Sequence, residues 1–208
     1  APLEPLHLAV TGPDGPARVG VVGAGPAGLS CAHDLALLGY RVTLFDSAPV
    51  VGGMLYQGVP EYRLSRDLIR AEVDQILALG VDLKLEWKLG RDFTVGDLLR
   101  NEYAAVFLAL GASRGRELSI PGTDLDGVIN GVDFLLNANL GYRVALGERV
   151  IVIGGGNVAI DVARSLRRLG TLPVVYYRRT AREMPAFRGE VDDAKAEGVR
   201  FEFQATPV

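Results

Sequence analysis

The sequence predicts an α/β protein with two parallel-sheet units, and three observations carry that reading. An apolar run, a glycine-rich turn and a helical apolar stripe follow one another from Arg18 to Leu38. The same succession returns from Arg149 to Leu166, its first glycine 131 residues after the first glycine of the earlier copy. In both copies a glycine stops the helix and another apolar run begins, the pattern of a strand–helix–strand unit with parallel strands. Composition agrees: of 208 residues, 49% are hydrophobic and 23% charged, with a formal net charge of −3. That rules out general disorder and any global attraction to nucleic acid or anionic lipid.

Taken in order, Ala1 to Ala17 holds Pro2, Pro5, Pro13 and Pro16 and reads as an extended linker (residues 1–17). Arg18–Val22 is a strand apolar on both faces. Leu29, Ala32, Leu35, Ala36 and Leu38 then mark a helix that Gly39 ends, and Val42–Phe45 is the next strand. A second helix is expected from Ser65 to Leu79, with Ser65 as N-cap, Gly80 as stop, and Leu68, Ile69, Val73, Ile76 and Leu77 as its stripe. Val81–Glu86 reads as an alternating strand. Thr94 and Asp97 frame a capping box before a short helix, and Tyr103–Leu110 as a strongly apolar strand. In the later copy Arg149–Ile153 and Leu172–Tyr177 are the strands, and Val158, Ala159, Val162, Ala163 and Leu166 the helical stripe.

Cys31 is the single cysteine, and His7 and His33 are the only histidines. One thiol forms no internal disulfide, no CxxC pair and no iron–sulfur cluster, and so few ligands leave a metal site improbable. Cys31 reads as a small apolar filler and His33 as a helix-surface residue. No apolar run reaches the ~18–20 residues of a membrane span, and Ala1 to Leu6 lacks the features of a signal peptide, so the chain reads as cytoplasmic. Redox chemistry here would come from a bound cofactor.

Gly23-x-Gly25-x-x-Gly28, with Pro26 and Ala27 inside it, sits between strand and helix, where such a motif cradles a pyrophosphate. Gly23 permits the tight turn, Gly25 lets the backbone approach phosphate, and Gly28 lets helix and strand pack closely. Asp46, at the end of the next strand, is placed to accept both ribose hydroxyls. Gly154-Gly155-Gly156-Asn157-Val158-Ala159 is the GxGxxA variant of the same cradle. Its following strand ends in Arg178 and Arg179 rather than a carboxylate. Arginine grips a 2′-phosphate where a carboxylate would repel it, so the coenzyme preference is NADPH over NADH. Arg182 is placed to assist, and Asn157 either caps the helix or touches the pyrophosphate. Two such units imply two nucleotide cofactors.

Gly52-Gly53-Met54 and Pro60-Glu61-Tyr62-Arg63-Leu64, with the second glycine turn, carry a resemblance from about Arg18 to Phe203. The chain resembles a family of FAD- and NADPH-binding electron-input modules that includes the small subunit of glutamate synthase and the flavin module of dihydropyrimidine dehydrogenase. The resemblance implies two Rossmann-like units, with the NADPH unit (137–208) inserted in the FAD domain (18–136) and the chain a segment of a longer protein. It implies that Asp46, Gly53, Met54, Arg63 and Leu89 line the flavin site and that Leu108 to Ser113, with Ala109, Gly111 and Ala112, leans on FAD. Gly52-Gly53 would let backbone pass close to the flavin. Read without the family pattern, Arg63 is a solvated cation at a helix start.

The implied reaction is hydride transfer from NADPH to FAD, then electron transfer to iron–sulfur clusters of a partner domain or subunit. No general acid or base is nominated. Two other readings stay open: the same module serving another acceptor (a ferredoxin, a sulfur species, a formate-dehydrogenase-type partner or a pyrimidine reductase), or a nucleotide-binding domain without turnover.

Overall fold

The computed structural model describes residues 11–12, 15–118 and 120–207. It divides into two compact units, Ala1–Gln57 with Glu61–Ala112, and Gly58–Pro60 with Ser113–Val208. The division falls after Ala112, so residues 113–136 group with the second unit rather than the first.

The first unit opens with β1 (Thr11–Gly12) and β2 (Gly15–Pro16), an antiparallel pair. The expected linker is therefore paired where it is described; His7 and the rest of residues 1–10, 13 and 14 lie outside the described residues. Gly15, at φ +99°, closes the reversal, and the Arg41 side chain donates to the Pro16 carbonyl at 2.8 Å. A main sheet follows: β3 (Arg18–Val22), β4 (Arg41–Phe45), β5 (Asp82–Lys84) and β6 (Tyr103–Leu108), parallel throughout in the order β5-β4-β3-β6. Strand order thus reverses at β3, whose carboxyl end flanks both β4 and β6. Such a switch point opens a crevice at the sheet edge where ligands are received.

Helix α1 (Pro26–Leu37) joins β3 to β4 and buries Gly28, Leu29, Ala32 and Ala36, of which the glycine and the alanines allow close approach to the sheet. Cys31 packs against this core, half-buried, and burial pushes its thiol pKa up, which fits the filler reading. His33 lies on the helix surface beside Asp34 at 2.8 Å. Next come α2 (Met54–Gln57), which the sequence reading did not anticipate, and α3 (Arg66–Leu77). Ser65 caps α3 by accepting from Asp67 N–H at 3.2 Å. Its buried face is Arg66, Ile69 and Val73; Leu68, assigned to the stripe, is 54% exposed.

The strand expected over Val81–Glu86 is shorter, because Glu86 turns to φ +60°. Helix α4 (Val95–Arg100) has the anticipated capping box between Thr94 and Asp97. It covers the opposite sheet face, where Phe45 and Phe93 pack with ring centroids 4.9 Å apart. β6 ends at Leu108, two residues early, with Phe107 and Leu108 exposed rather than buried.

The second unit begins with α5 (Gly131–Asn139), capped by Asn130, whose side chain accepts from Val132 N–H at 3.0 Å. β7 (Arg149–Ile153), α6 (Asn157–Arg168), β8 (Leu172–Tyr177), α7 (Arg188–Ala196) and β9 (Arg200–Phe203) form two successive βαβ units with parallel strand order β7-β8-β9. α5, α7 and β9 were not anticipated from sequence. Ile160, Ala163 and Leu166 of α6 are essentially inaccessible and pack with Val152, Val175 and Ala194. Arg164, its side chain 8% exposed, bridges α6 to Glu190, Asp193 and Glu197 around α7.

Two expectations follow. Leu44 is fully buried and Leu68 is not. Urea unfolding of the first unit should therefore show Leu44→Ala costing about 2–5 kcal/mol and Leu68→Ala no more than about 0.5 kcal/mol. In the second unit the Arg164 hydrogen bond holds the Glu197 carboxyl below its ordinary pKa. A depressed carboxyl contributes stability above the ordinary glutamate range and loses it as pH falls through the lowered value. Thermal melts taken from neutral into acid should show that loss in the wild type and a flatter acid limb in Glu197→Gln.

Candidate nucleotide-binding turns

In the first unit the turn after β3 is knotted by backbone contacts. Gly23 N–H donates to the Phe45 carbonyl at 2.7 Å, and Ala109 N–H donates to Val22 at 2.7 Å. Gly23 sits at φ +111°, and a side chain there would run into the Ala109 carbonyl. A Cβ at Gly28 would strike the Gly23 carbonyl, so helix and turn meet backbone to backbone. Asp46 reaches the same turn: one carboxylate oxygen accepts from Ala24 N–H at 2.6 Å and the other from Ala48 N–H at 2.8 Å. Each oxygen keeps a further lone pair, so bracing the turn leaves acceptor capacity.

Gly52 N–H donates to the Ala24 carbonyl at 2.8 Å, and a Cβ at Gly53 would stand 2.7 Å from Gly25 Cα. The paired glycines thus have a reason inside the protein, close approach to Gly25, beside the flavin-facing reason read from sequence. Met54, half-buried, starts α2 directly after them. Ala109 backs onto the turn, whereas Gly111 and Ala112 are exposed past the strand end. Leu89 packs with the Phe45–Phe93 cluster and bridges to Phe93. Arg63 stands exposed before α3.

Arg66 is the arginine the sequence reading missed. It is 4% exposed, donates to the Leu55 and Leu64 carbonyls at 3.2 and 3.3 Å, and lies 4.8 Å over the Tyr56 ring. Burial lowers its guanidinium pKa. Its signal was available: Arg66, Ile69 and Val73 share one helical face.

The second turn is built differently. Gly154 N–H donates to Tyr176 at 3.0 Å, and a Cβ on Gly154, at φ +142°, would lie 3.3 Å from the methyl of Ala159, the residue that stands where the first turn has Gly28. A Cβ on Gly155 would fall inside the Tyr177 ring. The N-cap of α6 is Gly156, with no side-chain cap, so Asn157 does not cap the helix. Its side-chain oxygen instead accepts from Phe187 N–H at 2.9 Å, which fixes the chain entering α7. Val158 is 46% exposed. Arg178, Arg179 and Arg182 are exposed beyond β8.

Both helices open at a glycine with no side-chain cap, Gly25 for α1 and Gly156 for α6. Uncapped first-turn N–H groups at the positive helix end favour an anion. A Cβ on Gly156 would meet nothing within 4 Å, and one on Gly25 only ordinary contact at 3.7 Å. Neither glycine has a positive φ. Packing within the protein therefore does not demand them, while a phosphate seated against the backbone would. Among the described residues no three His, Cys, Asp or Glu side chains form a metal-holding group, and no helix is long and apolar enough to cross a membrane.

The chain is 47% identical over 194 residues to the β subunit of the NADP(+)-dependent formate dehydrogenase of Moorella thermoacetica, covering 91% of this chain and 27% of that protein. It is 36% identical over 204 residues to the Escherichia coli glutamate synthase [NADPH] small chain, covering 92% of this chain and 43% of that one. The chain thus spans less than half the length of these relatives. Among solved structures, Mycobacterium tuberculosis FprA in complex with NADPH matches at 26% identity and TM-score 0.73, over 88% of this chain and 48% of that one. Residues 17–208 match the model of the pyridine nucleotide-disulphide oxidoreductase family, and the chain belongs to that family.

Proposed function

We propose that this chain is the cofactor-binding part of an FAD-dependent NADPH oxidoreductase of the glutamate synthase small-subunit type. The first unit would hold FAD and the second NADPH. The observation that carries the reading is the contrast between two otherwise similar turns: Asp46 stands against the first, and Arg178 and Arg179 follow the strand beside the second. A carboxylate suits a free ribose, and arginines suit a 2′-phosphate.

The residues fit both groups. Gly25 and Gly156 open helices whose N-termini lack side-chain caps, and Gly156 faces open space. FAD, when bound, would supply the hydride-accepting ring and one-electron chemistry. The chain's own part is binding and orientation. Asp46 and the Gly52-Gly53 pair hold the first turn in shape, and the second turn with its arginines would seat the coenzyme. No side chain is assigned as general acid or base.

Electrons would leave for iron–sulfur clusters of a partner domain or subunit, as the glutamate synthase likeness implies. The higher identity to the formate dehydrogenase β subunit favours a second reading, the same module with a formate-dehydrogenase-type acceptor. Reconstitution with FAD and anaerobic titration tests the shared core: NADPH should bleach the flavin well before NADH does. Protein that stays colourless with FAD yet binds NADPH would leave only the nucleotide-binding reading.

Two variants separate the turn from the arginines. Arg178→Ala should weaken NADPH by ~1–3 kcal/mol, the scale of a charged hydrogen bond, and leave NADH nearly unchanged. Equal losses for both coenzymes count against the 2′-phosphate role. Gly156→Ala should keep the melting temperature within a degree or so of wild type, given the open space at that Cβ. It should lower affinity for both coenzymes roughly tenfold, the scale of one intruding methyl, in calorimetric titrations.

A further inference from the structure

The segment between β8 and α7 is tied to the second glycine turn at three places. The Tyr177 hydroxyl donates to the Glu183 carbonyl at 2.9 Å, while its ring lies against Gly155. Ala186 N–H donates to the Gly155 carbonyl at 3.1 Å. Phe187 N–H donates to the Asn157 side chain at 2.9 Å. Inside the segment, Glu183 accepts from both the hydroxyl and the N–H of Thr180, so its first turn is also closed. Tyr177 is 9% exposed, whereas Arg178, Arg179 and Arg182 all stand in solvent.

We propose that Tyr177 and Asn157 are positioning residues for coenzyme selection: they clip the arginine-bearing segment to the glycine turn, so that the guanidinium groups stand preorganised for a 2′-phosphate. This rests on the reading of the second unit as an NADPH site. The physical ground is ordering cost. A free ten-residue segment would be ordered only when the phosphate is captured, and that cost would fall on the 2′-phosphate contact alone. With the segment already tied, the arginines keep their own rotamer freedom but not the backbone's. Gly155 belongs to the arrangement, because only a residue without Cβ admits the Tyr177 ring beneath the turn. Breaking one tie should therefore reduce discrimination between coenzymes more than affinity for the dinucleotide common to both.

The test is calorimetric binding of NADP+ and of NAD+ to the 208-residue chain, which needs neither flavin nor turnover. Tyr177→Phe removes one hydroxyl and keeps the ring under Gly155. It should lower the NADP+ to NAD+ preference about fivefold, the worth of one hydrogen bond, with NAD+ affinity held within about twofold. Asn157→Ala should do the same through the third tie. In an Arg178→Ala background the effect of Tyr177→Phe on the preference should largely vanish, since it acts through the arginines. A merely structural hydroxyl would lower the melting temperature and leave the preference unchanged, and that result overturns the proposal. So does an equal loss for both coenzymes in Asn157→Ala, which would mark direct contact with the pyrophosphate. If the wild type shows no preference for NADP+, or Arg178→Ala does not diminish it, the NADPH reading itself fails. A wild-type preference that Arg178→Ala abolishes and both tie variants preserve defeats the positioning inference alone.

Discussion

The constraint on which the first unit depends is backbone meeting backbone at the turn after β3. Gly28 lies against the Gly23 carbonyl, Gly53 against Gly25, and Gly23 against the Ala109 carbonyl. Three segments distant in sequence converge where no side chain fits. Each contact brings polar main-chain groups out of water, so each needs a partner. The partners are present: Ala24 gives its N–H to Asp46 and its carbonyl to Gly52, and Gly23 N–H goes to Phe45. These bonds satisfy the turn while the helix N-terminus at Gly25 keeps no side-chain cap.

The second unit solves the same problem with side chains. Ala159 stands where the first turn has Gly28, at which a Cβ would strike the Gly23 carbonyl. The support under the turn is an aromatic ring, Tyr177, instead of a paired glycine segment, and the carboxylate brace is replaced by the Asn157 amide. The two brackets carry different charge. The first turn has a carboxylate against its backbone, while a neutral ring and amide stand against the second. On the proposed reading, coenzyme preference would follow from how each turn is held up as well as from the arginines themselves.

Both βαβ beginnings were legible because their signals are local: apolar runs of five residues, glycines at fixed offsets, and stripes at helical spacing. Ser65 and the Thr94–Asp97 box were legible for the same reason, since a cap acts within one turn. What escaped was decided by contacts distant in sequence. Asn157 reads as a cap or a pyrophosphate contact; it does not cap the helix, and its oxygen accepts from Phe187, 30 residues away. Leu68 fits the apolar stripe by spacing, but the buried face of α3 is the one holding Arg66, whose guanidinium finds two carbonyls and a ring. α7 has only Val191 and Ala194 on its buried face, too few for a periodic signal. α5 packs on α6, a relation no local pattern encodes.

How α7 finds its place with so small an apolar face is answered by charge. Arg164, almost fully buried on α6, meets Glu190, Asp193 and Glu197, which follow one another along one side of α7. Desolvating these groups offsets much of their attraction, so the cluster is a weak source of net stability. Its value lies in register. Two small apolar residues would let α7 slide by a turn at little cost, whereas a slide would leave a buried guanidinium facing the wrong positions. Arg167, donating to the Glu197 carbonyl at 2.9 Å, adds a second tie at the same C-terminal end. With α7 held at its C-terminal end by these charges and at its entry by Asn157, the segment between β8 and α7 has both ends determined. The turn and the segment that carries the arginines beyond β8 are thus joined by hydrogen bonds within the protein.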